Sequence, residues 1–462
     1  MHERDLRRQA LESGKTVSRK QKAKHLSARS SQAGSTGNSP AVSPSHSPAG
    51  SRSGSRAPSR AVSEDEEESD ELAVASLDLT AFAQFDEALP EVWKRELHEV
   101  MDQVVERTRN KRNTAEAREE TLAIYSNILR AQYASDEITL RLDELIPSFV
   151  KCFKSGSTER ESIYALKALA ITFLTTGEPL FDEVNQPLRA RIQDGSSNAV
   201  QEAAIHTLGT AAFFGGAGQE DVEDVMDFFL DIAESDGEVI EAHDCGEVVA
   251  AALQEWGLLA TQFQELEDRT ERPLECFENQ LDSSDLGVLQ AAGENIALLY
   301  EQSFSRVEED ENGSGDDGTD DEFEFGNFKR KYWAKRYDVF PGNEFALKTK
   351  LADLSKSSAR YLGKGKRKDL HKTFTDVLQT VEHPYRGPRF STALNEEMTS
   401  YMGHRHVIRF GKDGTLTINR WWKLHRFEAM KRIIGGGFVT HYHANEVVYG
   451  SLPSSLEAPV DF

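Results

Sequence analysis

Between Lys329 and Tyr337 the chain alternates cations with rings: Lys329, Arg330, Lys331, Tyr332, Trp333, Lys335, Arg336 and Tyr337. Ammonium and guanidinium groups neutralise phosphates, and aromatic faces stack on unpaired bases, so this mixture suits RNA. A second basic knot follows at Lys364, Lys366, Arg367 and Lys368, within GKGKRK. The competing reading of both stretches is a solvated basic face whose rings belong to a core.

Other residues that could do chemistry lack the company it needs. His404/His406 and His441/His443 are His-x-His pairs, and alternate residues of a strand share a face, but no cysteine stands near them to complete a tetrahedral zinc set. His441 and Asn445, four apart, share a face if helical, where packing or capping is the simpler role. The glycines at 363, 365 and 435–437 do not form GxxxxGK[ST], and no Gly-x-Ser-x-Gly elbow occurs. Carboxylates in the middle of the chain are too many and too dispersed to single out an acid/base pair. The reading is a binding protein and not an enzyme, with no catalytic residue, no metal, no cofactor and no small-molecule substrate.

The basic clusters sit in a chain of net charge −24 whose charge is sorted by position. The first 60 residues carry twelve Lys/Arg against three Asp/Glu, the stretch from 61 to 328 is strongly acidic, and the remainder is again basic. Blocks of opposite sign attract different partners. Residues 1–78 are rich in Ser, Pro, Gly and Arg with little to bury, which predicts a disordered tail ending in an acidic run. Its Ser-Pro sites at 39, 43 and 47, with Ser63 and Ser69 among acids, invite phosphorylation; an inert solubilising tail is the alternative. Cys152, Cys245 and Cys276 are few, odd in number and widely spaced, which fits a reducing compartment and a cytoplasmic or nuclear protein. No apolar run reaches the roughly 20 residues of a membrane span, so no membrane partner is expected.

The elements that must position the basic clusters are helical. Leu122, Tyr125 and Leu129; Leu166, Leu169, Ala170 and Phe173; Ile205, Leu208 and Ala212; Leu253, Trp256 and Ala260; and Ile296, Ala297 and Tyr300 form five stripes at helical spacing. Equivalent positions Leu122, Leu166, Ile205, Leu253 and Gly293 are separated by 44, 39, 48 and 40 residues. Two helices per roughly 40–47 residues is the period of HEAT and armadillo repeats, so 79–304 is expected to be an α-solenoid; an irregular bundle is the alternative. Residues 305–328, with EEDENGSGDDGTDDEFEFG, read as an acidic linker.

From 329 to 462 the pattern predicts a small basic α+β domain. Leu347, Leu351, Leu354 and Tyr361 mark one helix, and Leu370, Phe374, Val377, Leu378 and Val381 a second that stops before His383-Pro384. HVIRF and TLTIN around GKDG predict a hairpin pairing Ile408 and Phe410 with Leu416 and Ile418. Asn419 is then expected to cap a helix from Arg420 to Ile434 with Trp422, Met430 and Ile433 turned inward, closed by Gly435–Gly437.

The stretch VIRFGKDGTLTINRWWKLHRFEAMKRIIGGGFVTHYHANEVV resembles the C-terminal domain of the interferon-related developmental regulator family. The matching residues are Val407 to Gly411, Trp421 or Trp422 with Lys423 and His425, Gly435 and Gly437, and His441 with Asn445-Glu446. FTDVLQTVE at 374–382 is similar to the family's preceding helix, with Thr375 where a basic residue is expected. The order of Ser-rich head, acidic helical part and basic end agrees. The resemblance implies an α-solenoid fold and a non-catalytic binding role: some members associate with translationally silent ribosomes, and others are described as nuclear transcriptional co-regulators. Two functions therefore stand as expectations, a translational repressor docking on ribosomal RNA through the basic clusters and a nuclear scaffold holding protein partners in the solenoid groove; the acidic middle of the chain by itself adds a third, a chaperone for basic proteins.

Overall fold

The computed structural model describes residues 90–109, 114–306, 333–339, 344–356, 364–395, 398, 401–410 and 414–453. The Ser-rich tail with the serines expected to be phosphorylated, the expected acidic linker beyond Arg306, Tyr361 and the turn of the expected hairpin lie outside them, while residues 305 and 306 of that linker are strand instead. The helices described before residue 303 and those after 344 belong to one compact unit.

The helices come largely in pairs. In chain order they are α1 (Pro90–Arg109), α2 (Ala115–Ala131), the short α3 (Ser135–Thr139), α4 (Leu142–Ser155), α5 (Glu159–Thr176), α6 (Phe181–Ile192), α7 (Asn198–Phe214), α8 (Gln219–Glu234), α9 (Gly246–Ala260), α10 (Glu271–Gln280) and α11 (Leu286–Gln302). After strands β1 (Phe304–Arg306) and β2 (Trp333–Lys335) come α12 (Glu344–Lys356) and α13 (Lys364–Glu382). Helix α1 packs on α2, α4 on α5, α6 on α7, α8 on α9, α10 on α11 and α12 on α13. The second helices also pack on one another in order, α2 on α5, then α7, α9, α11 and α13.

Each of the five apolar stripes falls on one of these second helices and is buried. Fully burying a Leu or Phe is worth about 1.5–3 kcal/mol, so the shared stripes hold the row together. Polar side chains add a second stitch at the same interval. Tyr125 Oη lies 2.9 Å from Thr172 Oγ1, Gln201 Nε2 donates to Ile240 O at 2.7 Å, Gln280 Nε2 to Ala233 O at 2.7 Å and Asn295 Nδ2 to Leu253 O at 2.8 Å. These partners are 47, 39, 47 and 42 residues apart, so the spacing read from the stripes is also the spacing of the hydrogen bonds. Local signals set the ends: Thr114, Thr158 and Asp285 cap α2, α5 and α11 through their side chains, and Gly177, at φ 64°, closes α5 in the left-handed region.

The last part of the chain carries hairpins and a strap of helices. Strand β3 (Phe390–Leu394) pairs antiparallel with β4 (Tyr401–His404), and β5 (Val407–Arg409) with β6 (Thr415–Thr417), Ile408 facing Leu416. The second hairpin is the expected one; the first is not signalled by the pattern. Helices α14 (Trp421–Ile434), α15 (Phe438–Ala444) and α16 (Glu446–Ser451) follow. Helix α14 lies across α5, α9 and α11, the Gly435–Gly437 turn touches α2, and α16 rests on α5.

Two details of α14 correct the sequence reading. Asn419 does not cap it; the helix starts at Trp421, and the Glu301 carboxylate accepts from Trp421 N at 3.0 Å and Trp422 N at 3.2 Å. An anion from a distant helix takes the place of a local cap. Trp421, 1% exposed, is the inward ring, whereas Trp422 is half-buried. One residue separates them, about 100° around the helix axis, and packing on α11 and α13 turns Trp421 inward.

Candidate nucleic-acid interface

The strap is seated by polar anchors. Arg426, buried, donates to Thr261 Oγ1 and O at 2.9 and 2.8 Å and to Ser451 O at 3.2 Å, with its guanidinium 5.1 Å from the rings of Phe213 and Trp422. Arg432 pairs with the fully buried Glu255, which also lies 2.7 Å from His206. His441 Nε2 is 2.7 Å from Leu129 O, Arg130 Nε donates to Ile433 O at 3.0 Å, and Asn445 both caps α16 and donates to Leu174 O at 2.8 Å. The fit needs bare backbone at two places. A Cβ on Gly437 would stand 1.7 Å from Arg130 O, and one on Gly257 2.6 Å from the His425 ring. His441, Asn445, His425 and Gly437 are thus packing residues.

Burial keeps the strap and hairpin histidines neutral. It lowers His404 and His441, pushes His406 and His425 down to about 4, and also lowers His206 of α7 beneath the strap. A histidine depressed in the folded state binds protons more readily when unfolded, so its contribution to stability is complete above pH about 6.5 and is lost as the pH falls toward its folded value. Burial raises Glu294 to about 7 and Asp376 to about 6, which acts in the opposite sense over the same range. We therefore expect His425→Gln to lose less stability than the parent chain between pH 7 and 4, by up to roughly 3 kcal/mol. Urea titrations at each pH read the difference, and parallel pH profiles would remove His425 from the account.

The two basic clusters are not brought together. Lys329, Arg330 and Lys331 lie outside the described residues, and Trp333 is described only as backbone in β2. Lys335 is exposed and paired with Asp338. Arg336 donates to Gln264 O and Glu265 at 3.1 Å and through its backbone to Ser303 O at 2.8 Å, so this segment is fastened beside the C-terminal end of α11. The knot at Lys364–Lys368 forms the start of α13, where Lys366 lines a hollow of about 490 Å³ with Asp285, the N-cap of α11. Helix α11 has 17 residues, so roughly 25 Å separates its two ends.

Lys366 and Lys368 are exposed, and neither has an ion pair among the described residues; Arg367 is half-buried, and Lys364 is described only as backbone. The first turn of α13 holds no acid. The sequence reading missed a third group of cations beyond the end of this helix: Arg386, Arg389 and Arg405, around Phe390 and Tyr401. Its signal was present in HPYRGPRF, which alternates rings and cations as 329–337 does.

A mostly helical protein with cations gathered on its last helix pair is thus defined by the fold. A family model described as Interferon-related developmental regulator (IFRD) matches residues 56–382, ending where α13 ends, and the chain belongs to this family. An uncharacterized protein of Schizosaccharomyces pombe is 28% identical over 359 residues, spanning 76% of this chain and 72% of the relative. Human Interferon-related developmental regulator 1 is 22% identical over 346 residues, spanning 72% of this chain and 66% of the human protein. Among the described residues no helix is long and apolar enough to cross a membrane.

Proposed function

We propose that this chain is a non-catalytic, ribosome-associated regulator that represses translation by occupying RNA, with the paired helices forming a HEAT- or armadillo-type solenoid that presents the basic face of α13. The observation that carries this reading is the placement of Lys366 and Lys368. Lys366, in the first turn of α13, opposes the helix dipole at a cost of about 0.3–1 kcal/mol, Lys368 stands just beyond that turn, and neither has an ion-pair partner among the described residues to offset it. A polyanion docking there would offset it. The nuclear scaffold reading places a protein partner in the solenoid groove, but α5, α9 and α11 already carry the chain's own strap. The proposed partner is therefore ribosomal RNA, and the proposed compartment the cytoplasm.

The test separates binding from folding. Lys366→Gln with Lys368→Glu should leave helical content unchanged and hold or raise the thermal midpoint, because the charge opposing the dipole is gone. The same variant should lose co-sedimentation with ribosomes on a sucrose gradient, by about tenfold or more at moderate salt. Undiminished, RNase-resistant co-sedimentation would overturn RNA docking through α13.

A further inference from the structure

We infer that the β3–β4 hairpin and the loop before it form a second, separate contact, for single-stranded RNA with unstacked bases. This rests on the RNA-binding reading of α13 and adds a site that the basic clusters of the sequence do not include.

The cations are grouped by backbone geometry. Arg389 lies in the left-handed region, at φ 54°, where a side chain other than glycine is strained. It is held there by two hydrogen bonds: its N–H donates to Asp376 Oδ2 of α13 at 3.0 Å, and its carbonyl accepts from Arg405 N at 3.2 Å. That second bond sets Arg389 and Arg405, both exposed, beside each other, and Arg405 Nη2 is steadied by Ser391 Oγ at 2.9 Å. Lys372, one turn before Asp376 on α13, shares a helix face with Lys368. No ion pair of Arg386, Arg389 or Arg405 is found among the described residues.

Rings adjoin these cations. The Arg386 guanidinium stands 5.1 Å from the Phe390 ring and 5.7 Å from that of Tyr385, a planar cation stacked on aromatic faces. Phe390 meets Tyr401 edge-on at 6.0 Å across the hairpin, and Tyr401 is 37% exposed, with Met402 and Met398 more open still. An exposed patch of Tyr and Met on a strand pair would be a liability in water without a partner. Beside guanidinium groups whose nearby acid is the single, mostly buried Asp376, it fits a ligand that is anionic along one edge and flat and apolar on its faces. Single-stranded RNA has that form, whereas a duplex offers phosphates with its bases already stacked.

The probes are labelled oligouridine of about twelve nucleotides, long enough for one such groove, an RNA duplex of similar length, and a phosphorylated peptide, each titrated against the full chain. Tyr401→Ala with Arg405→Gln should weaken oligouridine by about tenfold or more while leaving the duplex within about twofold, because stacking is lost and the α13 contact is kept. Lys366→Gln with Lys368→Glu should weaken both RNAs, so failure of the hairpin site and failure of the α13 reading give different patterns. Unchanged circular dichroism is expected, since both hairpin positions are exposed. Equal losses on single strand and duplex, no loss on either, or tighter binding of the phosphopeptide than of oligouridine would each overturn the assignment.

Discussion

Trp421→Ala should lower stability to urea by about 3–5 kcal/mol, a large part of what a single folded unit holds in reserve. The ring is 1% exposed, and its Nε1–H donates at 2.7 Å to Thr380 Oγ1, itself fully buried and bonded at 2.6 Å to Arg386 O. Truncation leaves a cavity and removes the donor to Thr380 Oγ1, whose own bond to Arg386 O remains, in a space closed to water. The contrast lies in its neighbour. Trp422 is half-buried, with Lys423 5.4 Å and Arg426 5.1 Å from its ring, so Trp422→Ala should cost only about 1–2 kcal/mol. Equal losses for the two variants would show that the inward face of α14 has been assigned to the wrong residue.

The largest expected effect is of salt on RNA affinity. Each phosphate neutralised by Lys or Arg releases condensed counterions, so six to ten such contacts imply roughly a 10³–10⁵-fold loss between about 50 and 200 mM salt. The chain's net charge of −24 sharpens this, because long-range repulsion opposes approach everywhere except at the basic surfaces. Fluorescence anisotropy at several salt concentrations gives the slope. Removing Lys366 and Lys368 should flatten it by about one or two contacts. A flat dependence in the parent chain would mean that the RNA, if bound at all, is held by something other than these cations.

The helices were legible because their signal is local and repeated. The stripes through Leu122, Leu166, Ile205, Leu253 and Ile296 each mark a buried face, and the stop at His383-Pro384 agrees with α13 ending at Glu382. The hairpin at 407–417 was legible from alternation around an Asp-Gly turn, with Ile408 opposite Leu416 as expected. The start of α14 was not, because its cap is Glu301, some 120 residues earlier, and no local pattern points to it. The β3–β4 hairpin escaped for a related reason. Tyr401 and Met402 face outward, so the residues that would mark a buried face are absent.

The interface was half legible. Residue type singled out Lys366 and Lys368, which are exposed, but type alone did not show that Arg336 is engaged by Gln264 and Glu265, 72 and 71 residues away. Nor did it reveal that α11 holds the two basic clusters apart.

The seating of the strap also governs when the fold can be completed. Neighbouring helix pairs meet across some 40 residues and can form as each pair emerges during synthesis, whereas Arg130 must wait 303 residues for Ile433, and Leu129 must wait 312 for His441. Contacts of such sequence separation form late and slowly, after a large loss of chain entropy. Until they do, the small-residue flank of α9 around Gly257, shaped to receive His425, stands open to solvent. Completing the fold therefore depends on the arrival of its final helices.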